Sequence, residues 1–363
     1  MDVGVLLVFQ NWHDKMSDGD MFVQEAELGV LAEEYGFDSV WAAEHHFDDY
    51  SMCPDNLQLM SYLAGRTSRI KLGTGAVILP WNDPLRVVEK VAMLDHVSGG
   101  RVLFGMGRGL AKMEYEGFRQ DMNESRQRFD EAAEMIMRGL KNGYVENDGP
   151  SFVQPRVDVR PAPNPDAPWT DRIFGVAISP DSVPAVARIG ARMMTFMQYP
   201  AEQHAAPINQ YREIYRKTHG LEPGPVLTQD FVYCDADPAK AEQTARHYLS
   251  RYFLSLIKHY DFAGSHWRHT KGYEAYQVGA DMVREAGMEA AGAGYADTQI
   301  WGTPDQIIEK YRHRVEVLGD IMPNIAPSFA GLPFDQVRAS LKLFGEEVVP
   351  ELHRMGVTAS VPG

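Results

Sequence analysis

Ser39-Val40-Trp41-Ala42-Ala43-Glu44-His45-His46-Phe47 is an apolar run that turns polar within one residue. A strand buried in a parallel sheet is apolar along its whole length, so a glutamate and two histidines have no easy place inside one. They fit where such a strand ends, at the mouth of an α/β fold, where ligands bind. Histidine is also the side chain best suited to proton transfer near neutral pH. The other reading of either histidine is a hydrogen-bonded wall residue. Adjacent strand residues face opposite ways, so His45 and His46 cannot share one role.

Outward from this strand the same unit recurs. Gly4 to Phe9, Asp38 to Ala43, Ile70 to Leu79, Arg101 to Gly105, Ile173 to Ala177, Arg192 to Met197, Val226 to Cys234 and Ile321 to Ile325 read as eight short strands. Amphipathic stretches separate them: Asp20 to Tyr35 (closed by Gly36), Leu85 to Val97, Asn123 to about Leu140, Pro238 to Ile257 and Pro304 to Leu318. Such alternation implies a parallel sheet. Eight units in 363 residues favour an α/β fold closed into a (β/α)8 TIM barrel with insertions, over an open doubly wound sheet. Residues 1–363 are expected to form one domain.

Two segments break the rhythm. Glu146 to Thr170 is proline-rich and reads as an extended excursion or hairpin. Phe262 to Thr298 is a long connection rich in glycine and alanine, which reads as a mobile lid or as a partly helical insertion. Gly264, Gly272, Gly279, Gly287, Gly292 and Gly294 are expected to make it pliable.

Composition narrows the function. Apolar residues make up 44% of the chain, enough for a large core, and the net charge of −15 argues against nucleic acid or an anionic membrane as partner. Cys53 and Cys234 are the only cysteines and lack CxxC spacing, so neither a disulfide framework nor a cysteine zinc site is expected. The N-terminus lacks a basic stretch before an apolar core, and no apolar segment is long enough to cross a bilayer. A reducing cytoplasm fits. His13, His96 and His204 show no ligand spacing, and His266 and His269, three apart, have no obvious third ligand, so no metal site is expected.

Three segments could hold an anion. Arg108 follows Phe104-Gly105-Met106-Gly107 at a strand end, where glycines let backbone approach a ligand and a guanidinium can grip its oxygens. The glycine spacing is wrong for a dinucleotide fingerprint. Arg126 and Arg128 sit near the start of the long helix, where positive charge opposes the helix dipole unless an anion binds. Gly175-Val176-Ala177-Ile178-Ser179-Pro180-Asp181-Ser182 enters a helix, either as an anion site or with Ser179 or Asp181 as an ordinary cap. Together they form a candidate pocket for one phosphate. Gly73-Thr74-Gly75-Ala76-Val77 offers small residues, suited to a flat ring against the backbone or to close packing.

The combined motifs resemble the bacterial luciferase-like flavin monooxygenases, with α-subunit-like members nearest. Carrying the resemblance are Glu34-Tyr35-Gly36-Phe37-Asp38, Trp41 and Glu44-His45-His46-Phe47; Leu94-Asp95, Ser98 and Gly100-Arg101; Arg108-Gly109-Leu110 through Asp121-Met122-Asn123 to Ser125-Arg126; and Leu341-Lys342-Leu343-Phe344 with Val349-Pro350. It implies a barrel holding reduced FMN (FMNH2) at the C-terminal strand ends, supplied by a separate NAD(P)H-flavin reductase. The reaction implied is oxygenation of a small apolar aldehyde, ketone or alkene by O2, through a C4a-peroxyflavin. The resemblance makes His45 the catalytic histidine and Glu44, just before it, the second catalytic residue. It places Arg108, Arg126, Ser179 and Ser182 at the phosphate, and Leu110 and Glu114 near the flavin. It puts a non-prolyl cis peptide at Gly75-Ala76. Ile178 stands where the family has a glutamate. The resemblance also implies a homodimer through the helices after strands two and three, which carry Leu59, Met60, Leu63, Val88, Val91 and Leu94; some of these must pack on the barrel, so the apolar surplus is modest. Two rival readings are an F420-dependent oxidoreductase of the same superfamily and a non-catalytic flavin-binding partner subunit.

Overall fold

The computed structural model describes residues 1–14, 16–262 and 264–359. The expected spans 1–363 and 262–298 include positions 15, 263 and 360–363, which lie outside the described residues. The chain begins with β1 (Gly4–Leu7), α1 (Asp18–Glu34), β2 (Ser39–Ala42) and α2 (Asn56–Ala64). Next come β3 (Lys71–Thr74), β4 (Val77–Ile78), α3 (Pro84–Ser98), β5 (Val102–Gly107), α4 (Lys112–Gly117) and α5 (Ser125–Asn142). A hairpin of β6 (Tyr144–Asp148) and β7 (Val153–Asp158) precedes β8 (Ile173–Val176), α6 (Ser182–Ile189), β9 (Arg192–Phe196), α7 (Ala201–His219), β10 (Val226–Cys234) and α8 (Pro238–His259). The chain continues with α9 (Tyr276–Ala286), α10 (Met288–Thr298), β11 (Ile300–Gly302), α11 (Pro304–Leu318), β12 (Ile321–Ala326), α12 (Phe334–Leu343) and α13 (Val349–Ala359).

The sheet closes. β1, β2, β3, β5, β8, β9, β10 and β12 pair in that order, all parallel, and β12 returns to β1 through Gly4↔Asn324. These are the eight expected strands. Each is buried nearly throughout, as a barrel wall requires. Gly4 shows how tightly the interior packs. A Cβ there would come within 2.5 Å of Asn324 Oδ1 and 2.7 Å of Ser39 Oγ.

Three details differ from the expectation. The single strand Ile70 to Leu79 is interrupted at the Gly75-Ala76 peptide, which is cis, and resumes as β4 beside β5. β11 is an extra strand on the edge of β10. The connection before it is mostly helical, and Gly279, Gly292 and Gly294 lie inside α9 and α10 rather than at flexible joints. Among the described residues there, only Gly272 and Gly287 adopt positive φ, +82° and +81°. The 146–170 excursion does contain an antiparallel hairpin, which begins at Tyr144.

The helices around β2 and β3 spend most of their apolar residues on the barrel. Met60, Leu63, Val88, Val91 and Leu94 are buried within this chain, so they are core. Tyr62, Met93 and Val97 are the exposed apolar residues of α2 and α3. Both cysteines are free and buried. Among the described residues no helix is long and apolar enough to cross a membrane.

Candidate active site

The polar residues after β2 meet the loops after β4, β5 and β8 at the C-terminal mouth of the barrel. A cavity of about 140 Å³ lies there, lined by His45, Gly75, Ala76, Arg108, Glu114 and Ser179 among others. Leu110, Ser182 and Glu44 also line it, and Leu6, Val8, Phe196 and Phe231 supply an apolar base.

His45 and His46 diverge as their neighbouring positions require. His45 Nδ1 lies 3.0 Å from Glu114 Oε1, and its Nε2 lies 3.3 Å from the Tyr260 hydroxyl. His46 turns outward to Phe118 and Trp81, with Nε2 3.3 Å from Glu44 Oε1. Its backbone N–H donates to Glu114 Oε1 at 2.8 Å. Burial alone would raise the Glu114 pKa. The charge and hydrogen bond of His45, the charge of His259 and the His46 N–H outweigh it and hold the carboxyl below its ordinary range.

Glu44 is buried, and its carboxylate is fully engaged. Oε1 accepts from Trp81 Nε1 at 2.7 Å and Asn82 Nδ2 at 3.1 Å, and Oε2 accepts from Ile78 N at 3.1 Å. These bonds brace the turn after β4 under the pocket floor. The geometry gives Glu44 a bracing position, and it is Glu114 that meets His45.

His45, Glu114 and His259 also bring ligating atoms within 4.8 Å of one another. Sequence spacing gave no sign of this group, because its members come from three distant segments. Glu114 Oε1 already accepts from His45 and from the His46 N–H, so the group is a hydrogen-bonded one.

The arginines and serine singled out as a candidate phosphate pocket lie together. Arg108 Nη1 lies 3.2 Å from Asp181 Oδ2, and Arg126 Nη2 and Nε lie 2.8 and 3.2 Å from the same oxygen. Ser179 Oγ donates to the other oxygen of Asp181. Asp181 stands at the N-cap of α6, yet its side chain makes no capping bond. It faces the two guanidinium groups instead. Burial would raise its pKa, but Ser179, Arg108 and Arg126 hold it below the ordinary value. The Asp181 carboxylate is the point on which Arg108, Arg126 and Ser179 converge. Ser182 Oγ accepts from the N–H groups of Ile178 and Ser179 at 3.0 and 2.9 Å, which shapes this turn. Arg128 points elsewhere and donates to Pro80 O.

The small residues of the floor divide by role. A Cβ on Gly73 would fall 2.2 Å from the Trp41 ring, so Gly73 serves close packing. Gly75 and Ala76 line the cavity. Gly109 has φ +80°, and a Cβ there would meet Ile78 and Trp81 at 2.9 Å, so only glycine fits.

The segment before α9 crosses above Arg108. Arg108 Nη2 donates to Gly272 O at 2.7 Å, and its guanidinium sits 4.0 Å from the centre of the Tyr273 ring. Tyr273 OH donates to Gly109 O at 2.7 Å. Beyond this segment a second cavity of about 1220 Å³ adjoins the first and is lined by Phe253, Phe262, Met282 and Val283. Sequence reasoning missed Tyr260, Tyr273 and His259. Each is a lone aromatic or histidine with no local motif to mark it.

Residues 1–320 match the family described as luciferase-like monooxygenase. The chain is 28% identical over 356 residues to an alkanal monooxygenase alpha chain of Photorhabdus luminescens, across 93% of this chain and 94% of that one. The fold matches the crystal structure of monooxygenase RslO1 from Streptomyces bottropensis with a TM-score of 0.80 and 26% identity, over 97% of this chain and all (100%) of that one. It matches the FMN complex of the oxygenating constituent of 3,6-diketocamphane monooxygenase from Pseudomonas putida with a TM-score of 0.72 and 18% identity, over 96% and 98% of the two chains. With its barrel closed, its strand-end histidine in place and 320 residues matched, this chain belongs to the luciferase-like monooxygenase family.

Proposed function

We propose that the chain is the oxygenating component of a two-component, FMNH2-dependent monooxygenase that inserts oxygen from O2 into a small apolar aldehyde, ketone or alkene. One observation carries this reading. Two arginines and a serine converge on a single anion position beside a cavity whose wall holds the His45–Glu114 pair. That fits one phosphate, hence FMN rather than a dinucleotide.

Arg108, Arg126, Ser179 and Ser182 would hold the phosphate in place of Asp181, and Gly75, Ala76 and Leu110 would lie against the ring. Reduced flavin, when bound, supplies the electrons that activate O2. The chain's residues do the rest. Arg108 orients the phosphate end. His45 holds or moves a proton at Nε2, the nitrogen facing Tyr260, while Glu114 anchors its Nδ1. The apolar base receives the organic substrate. The 262–298 segment keeps water out when latched on Arg108. Release of that latch would admit flavin to the pocket.

The same reading assigns a separate NAD(P)H-flavin reductase as electron donor, a homodimer as the assembly and the cytoplasm as the compartment. The test is oxygen uptake by the chain mixed with FMNH2 in stopped flow, with an alkanal, a cyclic ketone and a terpene alkene as probes. Oxygen consumption with probe oxygenation is expected. Hydride transfer from reduced F420 without oxygen uptake would replace this reading with the oxidoreductase one. Flavin binding without turnover would make the chain a partner subunit.

A further inference from the structure

His259 is the last residue of α8, and its side chain is fully buried. The ring stacks on Tyr50 at 4.3 Å and 14°, and stands edge-on to His45 at 4.9 Å and 88°. Tyr260 is edge-on to it at 4.8 Å. Its two nitrogens face two carboxylates. Nδ1 lies 3.4 Å from Asp48 Oδ2, and Nε2 lies 3.6 Å from Glu114 Oε1 with no hydrogen-bond partner. Asp48 is in turn near Lys258 Nζ, at 3.6 Å, which also reaches Asp49.

A neutral imidazole carries one N–H and one lone pair. Between two carboxylates it can satisfy only one of them. Burial pushes the His259 pKa down, against the opposing pull of Asp48 and Glu114, and so favours the neutral ring. Asp48 is the nearer acceptor and therefore draws the proton to Nδ1. Nε2 then faces Glu114 as a lone pair and gives that carboxylate no hydrogen bond. Glu114 is left with two donors, His45 Nδ1 and the His46 N–H. The opposite tautomer would give Glu114 a third donor and weaken its hold on His45.

We propose that Asp48 and His259 are positioning residues for the oxygenation reaction, which keep Glu114 a strong acceptor for His45 by fixing the Nδ1–H tautomer of His259. The proposal rests on the reading of His45 and Glu114 as the proton-handling pair. The arrangement joins the site to the segment above it, because the chain runs from His259 through Tyr260 into that segment. A charged carboxylate at position 48 is the required partner. An asparagine there removes the charge that holds the proton at Nδ1, and the Glu114 carboxylate facing Nε2 then draws it across.

Two measurements on the full-length protein test this. Long-range ¹H–¹⁵N correlation spectra report the tautomer of His259, with the signal assigned by its loss in His259→Gln. Wild type is expected to show Nδ1–H, and Asp48→Asn to show Nε2–H. Stopped flow with FMNH2 and O2, without organic substrate, reports hydrogen peroxide release against pH. The pH-dependent limb of peroxide release should move to lower pH in Asp48→Asn, while FMNH2 affinity stays unchanged. A wild-type Nε2–H tautomer overturns the proposal, and so does a superimposable pH profile in Asp48→Asn. His45→Ala is run in parallel. If it removes the limb while Asp48→Asn leaves the limb in place, only the role of His259 falls. If His45→Ala also leaves it unmoved, the reading of His45 itself has failed.

Discussion

At the scale of single residues, the two histidines after β2 make opposite predictions. His45 is partly exposed to the cavity and engages Glu114, so its loss removes chemistry more than packing. His45→Ala should fold, bind FMNH2 and lose oxygenation by about 10²–10⁴-fold. Product formed per bound FMNH2 measures this, and an unchanged yield would make the pair structural. His46→Ala instead deletes contacts to Phe118, Trp81 and Glu44, and should cost mainly stability in urea unfolding. The phosphate side offers a second opposed pair. Arg108→Ala should weaken FMNH2 binding by about 1–3 kcal/mol, the scale of a charged hydrogen bond. Asp181→Asn should tighten it, because the wild-type carboxylate competes for both guanidinium groups. Fluorescence titration under anaerobic conditions separates them, and equal affinities across wild type and both variants would remove this cluster from the cofactor site.

At the scale of elements, the crossing segment before α9 is the part whose movement matters. Trp267 and Tyr273 are buried in it, so it is packed rather than loose. Its hold on the barrel rim passes through Gly272, where φ is +82° and a Cβ would meet Arg108 Nη1 at 2.8 Å. Gly272→Ala should therefore loosen the latch on two counts, backbone strain and displacement of the guanidinium. Flavin binding should largely survive, while hydrogen peroxide released per FMNH2 oxidised should rise. A wild-type peroxide yield in this variant would show that the segment does not guard the reaction from water.

At the scale of the whole molecule, one buried acid governs a pH dependence of stability. Glu25 of α1 accepts from Val8 N at 2.9 Å and Phe9 N at 3.4 Å, and so ties α1 to the end of β1. Burial raises its pKa from about 4.5 to about 6, despite the lowering effect of these N–H groups. An acid that binds its proton more tightly when folded stabilises the fold at low pH. That contribution fades as pH rises through about 6. The shift corresponds to about 2 kcal/mol lost by pH 7. Glu25→Gln should flatten the slope between about pH 4 and 7 in urea unfolding, and an unaltered slope would assign it to other groups. The proposed dimer belongs to this scale too. Its apolar face must come from Tyr62, Met93 and Val97, since the neighbouring apolar residues of α2 and α3 are spent on the core. Met93→Glu should raise the monomer fraction in sedimentation at micromolar concentration, and a monomeric wild type would dispose of the dimer.

The eight strands and the polar end of β2 were legible in the sequence because each depends on local pattern. A strand buried on both faces must be apolar for its whole length, and residues such as Glu44 and His45 can appear only where burial ends. Arg108 among its glycines was legible for the same reason, since the local chain must both turn and offer charge. Partnership was not. His45 meets Glu114 from 69 residues away and Tyr260 from 215, and no periodicity spans such distances. Asp181 read equally well as a helix cap, and only closure of the barrel, which sets Arg108 and Arg126 opposite it, turned its carboxylate away from the helix. Whether Met60 and Leu63 faced core or surface likewise depended on which side of α2 met the sheet. Sequence determined the elements and the chemical groups at their ends, and tertiary structure decided which of those groups face one another, because strand order around a closed barrel is a long-range property.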